Sequence, residues 1–384
     1  RRWGRAMSQP GGPIQGIQVL RAVAALCVLF GHLQQHIVSL AKAVGESRSP
    51  WLAWAGGFGV DLFFCISGFI IVLSARKVMG QSGAGLDFMV RRLIRVVPLY
   101  WLATCAYLPI FLFGASTAGR DVWLPLLTSM SFVPYPVFGD WAAPYPLLTL
   151  GWTLNYEMWF YVSMAAVMCL VRQRVVLWTA LWMGSLVALG VALEPEHRQL
   201  FFWSRPIVLE FVVGAAMGMA HAHGKLRLGG GWACCLGAIA VSWVALDPFG
   251  MTTASGPTPN DFVRLAAWGA PAALILLAVV ASPVVLGLSR HRLLAPLVRL
   301  GDASYSLYLL HPFVLIVLGK LWVATSLHAL LPWWSLACLS VMAAWVVARL
   351  SHHWIELKVS AWLGRHRLAR RWMMGSKVDG VVRT

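Results

Sequence analysis

The stretch GIQVLRAVAALCVLFGHLQQHIV, residues 16–38, decides the fold. About 20 mostly apolar residues are enough for a helix to cross the hydrocarbon core, and this segment has them. It also carries Arg21, His32 and His36 in a place where charge is costly. The rest of the chain has the same character. Of its 384 residues, 59% are hydrophobic and only 12% charged, about half the charged share of a soluble domain. So little charge cannot cover a water-facing surface. This excludes an ordinary soluble enzyme and a disordered chain, and it predicts an all-α, polytopic membrane protein.

Ten segments are long and apolar enough to span: roughly 17–38, 57–75, 97–115, 152–171, 175–193, 206–222, 232–247, 263–288, 302–323 and 333–351. With the N-terminus in the cytoplasm, 23 of the 31 lysines and arginines fall on the inner side. This fixes both termini as cytoplasmic, and it explains the net charge of +17 without nucleic acid as a partner. The domains expected are a cytoplasmic segment 1–16, a transmembrane domain 17–355 and a basic cytoplasmic tail 356–384. The longest outer connection, 116–151, is rich in Pro, Trp and Tyr, including Trp141. Its prolines exclude a regular helix, so it is expected to fold back as a lid-like piece. The 21 tryptophans suit membrane interfaces. Seven scattered cysteines without CxxC spacing read as small buried hydrophobes.

Polar residues inside spans are the functional candidates. Arg21 and His32 are eleven residues apart, which is about 20° beyond three full helical turns. They therefore share a face, about 16 Å apart along the axis. His36 follows His32 at i,i+4, but no third ligand is in view and no metal is expected. GVDLFFCISGF (59–69) brings Asp61, close in depth to His32 and able to orient an imidazole. GWTLNYEMWFY (151–161) brings Glu157, a second candidate for that role. GDASYSLYLLHPF (301–313) is the most polar span, with Ser304, Tyr305 and His311. RRLIRVVPLYW (91–101) reads as an inner loop whose Arg91, Arg92 and Arg95 form a basic edge. Such an edge suits either orientation in the membrane or a phosphate site facing the cytoplasm.

Together these blocks resemble the membrane-bound acyltransferase-3 family, which includes bacterial exopolysaccharide and O-antigen acetyltransferases. The resemblance covers about residues 14–355 and rests on the Arg-x10-His pair Arg21/His32, GVDLFFCISGF, RRLIRVVPLYW, GWTLNYEMWFY and SYSLYLLHP, in family order. It implies a multi-pass enzyme of the bacterial inner membrane with no permanently bound cofactor. Such an enzyme takes an acyl group, usually acetyl, from cytoplasmic acyl-CoA and passes it to a hydroxyl of an extracytoplasmic glycan or lipid-linked oligosaccharide. It further implies that Arg21 and His32 are essential, with His32 as general base or acyl carrier. It associates Arg91, Arg92 and Arg95 with the donor. The competing class is a glycan or lipid transporter, which commonly shows pseudo-symmetric halves. No internal repeat is visible here.

Overall fold

The computed structural model describes residues 13–113, 121–137, 139, 144–195, 197–251, 261–289 and 291–365. Most of the expected N-terminal segment, the tail beyond 365, Trp141 and residues 252–260 lie outside these residues. The described residues form helices α1 (Pro13–Ala43), α2 (Ala55–Ala75), α3 (Ala84–Leu112), α4 (Gly151–Leu170), α5 (Val175–Leu193), α6 (Leu209–Ala222) and α7 (Gly230–Leu246). They continue with α8 (Phe262–Ala281), α9 (Ser304–Ala324) and α10 (Trp333–Ser351), joined by shorter helices. No strand occurs among them. Among the described residues, seven helices are long and apolar enough to cross a membrane: α1, α2, α3, α5, α8, α9 and α10, the last continuing to Leu363. Pro206–Ala222 and Gly230–Leu246 are apolar but shorter. Large apolar side chains such as Leu189, Val241 and Met342 are exposed. Such a surface is stable only against lipid, and the protein is a multi-pass membrane protein.

Three expectations need correction. The connection 116–151 does hold a regular helix, Trp123–Met130, because Pro125 lies in its first turn, where no backbone N–H is needed. The segment RRLIRVVPLYW is not a loop, because Arg91, Arg92 and Arg95 lie inside α3, two to three turns after its start. An i,i+4 ion pair between Asp87 and Arg91 (2.6 Å) supports the helix there. Pro98 and Pro109 are accommodated within it, as membrane helices allow. Most cysteines are not buried: Cys105, Cys169, Cys234, Cys235 and Cys338 are exposed. A thiol is apolar enough to face lipid.

The chain divides into two compact units, Arg1–Ile66 with Ala220–His352, and Ser67–Met219 with His353–Thr384. In the first unit, α1 presents Ala22, Ala25, Leu29, Leu33, Ile37 and Ala41 as one stripe at helical spacing. This stripe packs against Leu307, Val314 and Leu315 of α9 and Leu336, Ala344 and Ala348 of α10. Small residues permit the close crossings, as is usual between membrane helices. A β-carbon on Gly31 would strike the backbone of Gly56 where α1 crosses α2, and one on Gly319 of α9 would strike the His36 ring. In the second unit, α3 and α4 run antiparallel, with Gly85 against Ala165, the Phe88 ring edge-on to Tyr161 (6.0 Å) and Tyr100 against Gly151.

Candidate active site

The site is built on α1 and α9. Because α1 is helical from Pro13 to Ala43, Arg21 and His32 keep the shared face that their spacing predicts. Arg21 is 6% exposed, and its Nη1 donates to Gln18 Oε1 at 3.0 Å. The His32 Nδ1 lies 3.0 Å from the Val28 carbonyl oxygen and 3.2 Å from His311 Nε2. The two imidazole centroids are 5.1 Å apart and inclined by 39°. His311 is 1% exposed, and its Nδ1 lies 3.0 Å from the Leu307 carbonyl oxygen. Tyr308 makes T-shaped contacts with His311 (6.4 Å) and with Phe63 (5.9 Å), which pack the second histidine in place.

These contacts assign the protons. A carbonyl oxygen only accepts, so His311 Nδ1 must carry hydrogen and its Nε2, in the neutral ring, must accept. His32 Nδ1 faces two acceptors and is therefore also N–H. This leaves a lone pair on His32 Nε2, the atom able to take a proton or attack a carbonyl. Among the described residues, no side chain or backbone group is bonded to that atom, and His32 is only partly buried.

Asp61 does not orient the imidazole. Both its oxygens face Arg264 of α8, with Nε at 3.2 and 3.1 Å and Nη2 at 2.5 Å. The pair is fully enclosed, at 0% and 2% side-chain exposure. The guanidinium also lies 5.2 Å from the centre of the Trp268 ring, which occupies the space left by Gly57. A carboxylate at this depth takes a cation before a neutral ring, because an unpaired buried charge costs several kcal/mol. Glu157 belongs to the second unit, where its Oε1 accepts from Tyr161 (2.5 Å) and Ser67 (3.2 Å). In the same unit Arg92, 8% exposed, donates to Ser74 Oγ and lies over the rings of Phe88 (5.4 Å) and Tyr161 (5.6 Å). Arg91 and Arg95 are partly exposed. Ser304 is buried with no hydrogen-bond partner for its hydroxyl among the described residues, and Tyr305 is half-buried. No three His, Cys, Asp or Glu side chains come together as a metal site among them.

Two residues escape the sequence argument. Arg264 was signalled only by sitting at the mouth of the apolar run 263–288. Gln34 carried no signal. Its amide clasps the backbone of Leu52, with Nε2 donating to the carbonyl oxygen at 2.5 Å and Oε1 accepting from the N–H at 2.8 Å.

A profile of the acyltransferase domain family matches residues 14–351. The chain belongs to this acyltransferase family. It is similar to the exopolysaccharide production protein ExoZ of Rhizobium meliloti (strain 1021), with 34% identity over 71% of this chain and 81% of that protein. It is similar to the acyltransferase MdmB of Streptomyces mycarofaciens, with 28% identity over 91% and 92%. An O-acetyl transferase of Shigella phage Sf6 is 30% identical over 52% of this chain and 60% of its own. No solved structure gives a significant match. As a member of the acyltransferase family, the chain carries both Arg21 and His32 within the matched region.

Proposed function

We propose that this protein is a ten-span O-acyltransferase of the bacterial inner membrane. It would move an acyl group, acetyl in the simplest case, from cytoplasmic acyl-CoA to a hydroxyl of an extracytoplasmic glycan or lipid-linked oligosaccharide. The observation that carries this reading is His32: its Nδ1 is held by two acceptors while its Nε2 is left to react. The relatives named for exopolysaccharide production and O-acetyl transfer support the glycan acceptor.

In this reaction the acceptor hydroxyl gives its proton to His32 Nε2 as its oxygen attacks the thioester carbonyl carbon. The C–S bond breaks, sulfur leaves as thiolate, and the proton on Nε2 passes to it. The products are the ester and free CoA thiol. Arg21, three turns away on the same helix, balances negative charge on the donor side. Of the three arginines assigned to the donor phosphates, Arg91 and Arg95 are partly exposed and Arg92 secures the helix that presents them.

The test is transfer from radiolabelled acetyl-CoA to cell-surface glycan by membranes containing matched amounts of wild type and His32→Ala. Loss of a general base typically lowers the rate about 10²–10⁴-fold. Label in the glycan with wild type and none with His32→Ala is the expected result. Near-wild-type transfer by the variant would remove His32 from the chemistry. Glycan uptake without acylation by wild type would favour a transporter.

A further inference from the structure

We propose that His311 is the positioning residue of the reaction: it accepts the Nδ1–H of His32 across the α1–α9 contact and so fixes Nε2 as the atom that takes the acceptor proton. This rests on the reading of His32 as general base.

The argument begins with what each helix can do alone. The bond from His32 Nδ1 to Val28 is made within α1, one turn back. It sets the tautomer, but one acceptor on the same helix leaves the ring free to swing about that contact. His311 adds a second acceptor on another helix, 279 residues away in sequence and 3.2 Å from the same nitrogen. Two acceptors on two helices define the ring plane, and hence the direction of the Nε2 lone pair.

His311 is suited to the role because it cannot turn. Its own Nδ1–H is committed to Leu307 at 3.0 Å, it is 1% exposed, and the Tyr308 ring stands beside it. Its Nε2 therefore presents a lone pair and nothing else. When His32 takes the proton on Nε2, the Nδ1–H of the resulting cation is already directed at that lone pair. A proton on His311 Nε2 would instead set two N–H groups facing each other at 3.2 Å. The pair thus admits one added proton, and it enters on His32. The depth of the pair is fixed on its far side by His36, four residues on, whose ring packs on Gly319, eight residues beyond His311. The register of α1 against α9 therefore does not slip.

The experiment uses the full-length protein in membranes or detergent and compares His311→Leu, His311→Gln and His311→Leu in the His32→Ala background. Leucine keeps bulk and removes the acceptor. Glutamine returns a carbonyl oxygen near the position of Nε2. The hydrogen-bonded partner that orients a metal-bound imidazole is typically worth about 10- to 100-fold, and the same order is expected for this one. His311→Leu should lower kcat by that factor with KM for acetyl-CoA and for acceptor within about twofold, and His311→Gln should recover most of the loss. In the His32→Ala background the leucine substitution should cost nothing further, because residues acting as one unit are not additive. Wild-type kcat in His311→Leu would overturn the proposal, as would equal losses in the two single variants or a full further loss in the double variant. A wild type that transfers no acetyl group would overturn the acyl-transfer reading itself, and the proposal with it.

A measurement on folded wild type does not depend on the variants. Nitrogen-15 NMR of histidine-labelled protein, assigned by difference with His32→Ala, should show both rings with Nδ1–H and bare Nε2. It should also show a coupling between His32 Nδ1 and His311 Nε2 through the shared hydrogen. An Nε2–H tautomer at His32 would overturn the proposal even if the variants fail to fold.

Discussion

Two polar pairs within the membrane-spanning helices sit in the same unit and use their atoms in opposite ways. Asp61 and Arg264 close on each other: three N–O contacts at or below 3.2 Å, an aromatic face beneath the cation, and almost no exposure. His32 and His311 share one N–N contact and leave a nitrogen over. The first pair is charged and closed on itself, so it ties α2 to α8. The second is neutral and incomplete, so it can bind or move a proton. Among polar groups at membrane depth, the atoms left unused are thus a better guide to chemistry than the strength of the contact.

The largest effects should separate the two pairs cleanly. His32→Ala should lose the rate and keep the melting temperature, whereas Asp61→Ala should do the reverse. Leaving Arg264 buried without its carboxylate costs about 3–5 kcal/mol, visible as a lower thermal midpoint in detergent. The double change Asp61→Leu with Arg264→Met should regain most of that loss, since a buried ion pair can often be replaced by apolar groups. If Asp61→Ala melts with wild type, the closed pair is not a structural lock and the comparison fails.

The same contrast is sharpened by a smaller effect in the second unit. Arg92 is enclosed by two rings and bonded to Ser74, whereas Arg91, its neighbour, makes a partly exposed ion pair with Asp87. Arg92→Ala should cost about 2–3 kcal/mol through the lost hydrogen bond and ring contacts. Arg91→Ala should cost under about 0.5 kcal/mol. Equal shifts in the two melts would mean that depth along α3 does not distinguish them.

The smallest effect lies outside the spans. The Glu46 carboxylate accepts from the Trp333 indole (3.0 Å) and from Arg48 (3.0 Å), and these bonds, the indole first, hold it below the ordinary carboxylate range. A lowered value means that the contribution is present at neutral pH and is lost as pH falls through that lowered value. Wild type should therefore melt slightly above Glu46→Gln at pH 7, and the difference should vanish in acid. A gap that widens on acidification would contradict the assignment.

Much of this was legible in the residues. The helical class followed from composition, and the shared face of Arg21 and His32 from eleven residues of spacing. What could not be read was pairing across the chain. His311 stood out as polar in an apolar span, yet nothing local joined it to a histidine 279 residues earlier. Asp61 looked like a partner for His32 because depth was all that could be compared, and its true partner sits 203 residues on. The basic run at 91–95 resembled a loop because hydropathy counts charge and ignores that arginine is a good helix former. Helix–helix partners are chosen by three-dimensional fit of small residues and by which charges must be neutralised. Neither has a period in the sequence.

The Asp61–Arg264 lock also carries a timetable. Synthesis at about 5–20 residues per second places roughly 10–40 s between the emergence of the aspartate and that of its arginine. Through that interval the Asp61 carboxyl lacks its cation and is expected to stay hydrated or neutral. The first unit is assembled from both ends of the chain, so it cannot close until α8 arrives. Nascent chains arrested before Arg264 should remain sensitive to protease and to carboxylate-modifying reagents at Asp61. Those arrested well beyond it should resist both. Assembly of this acyltransferase thus depends on a contact completed late in its synthesis.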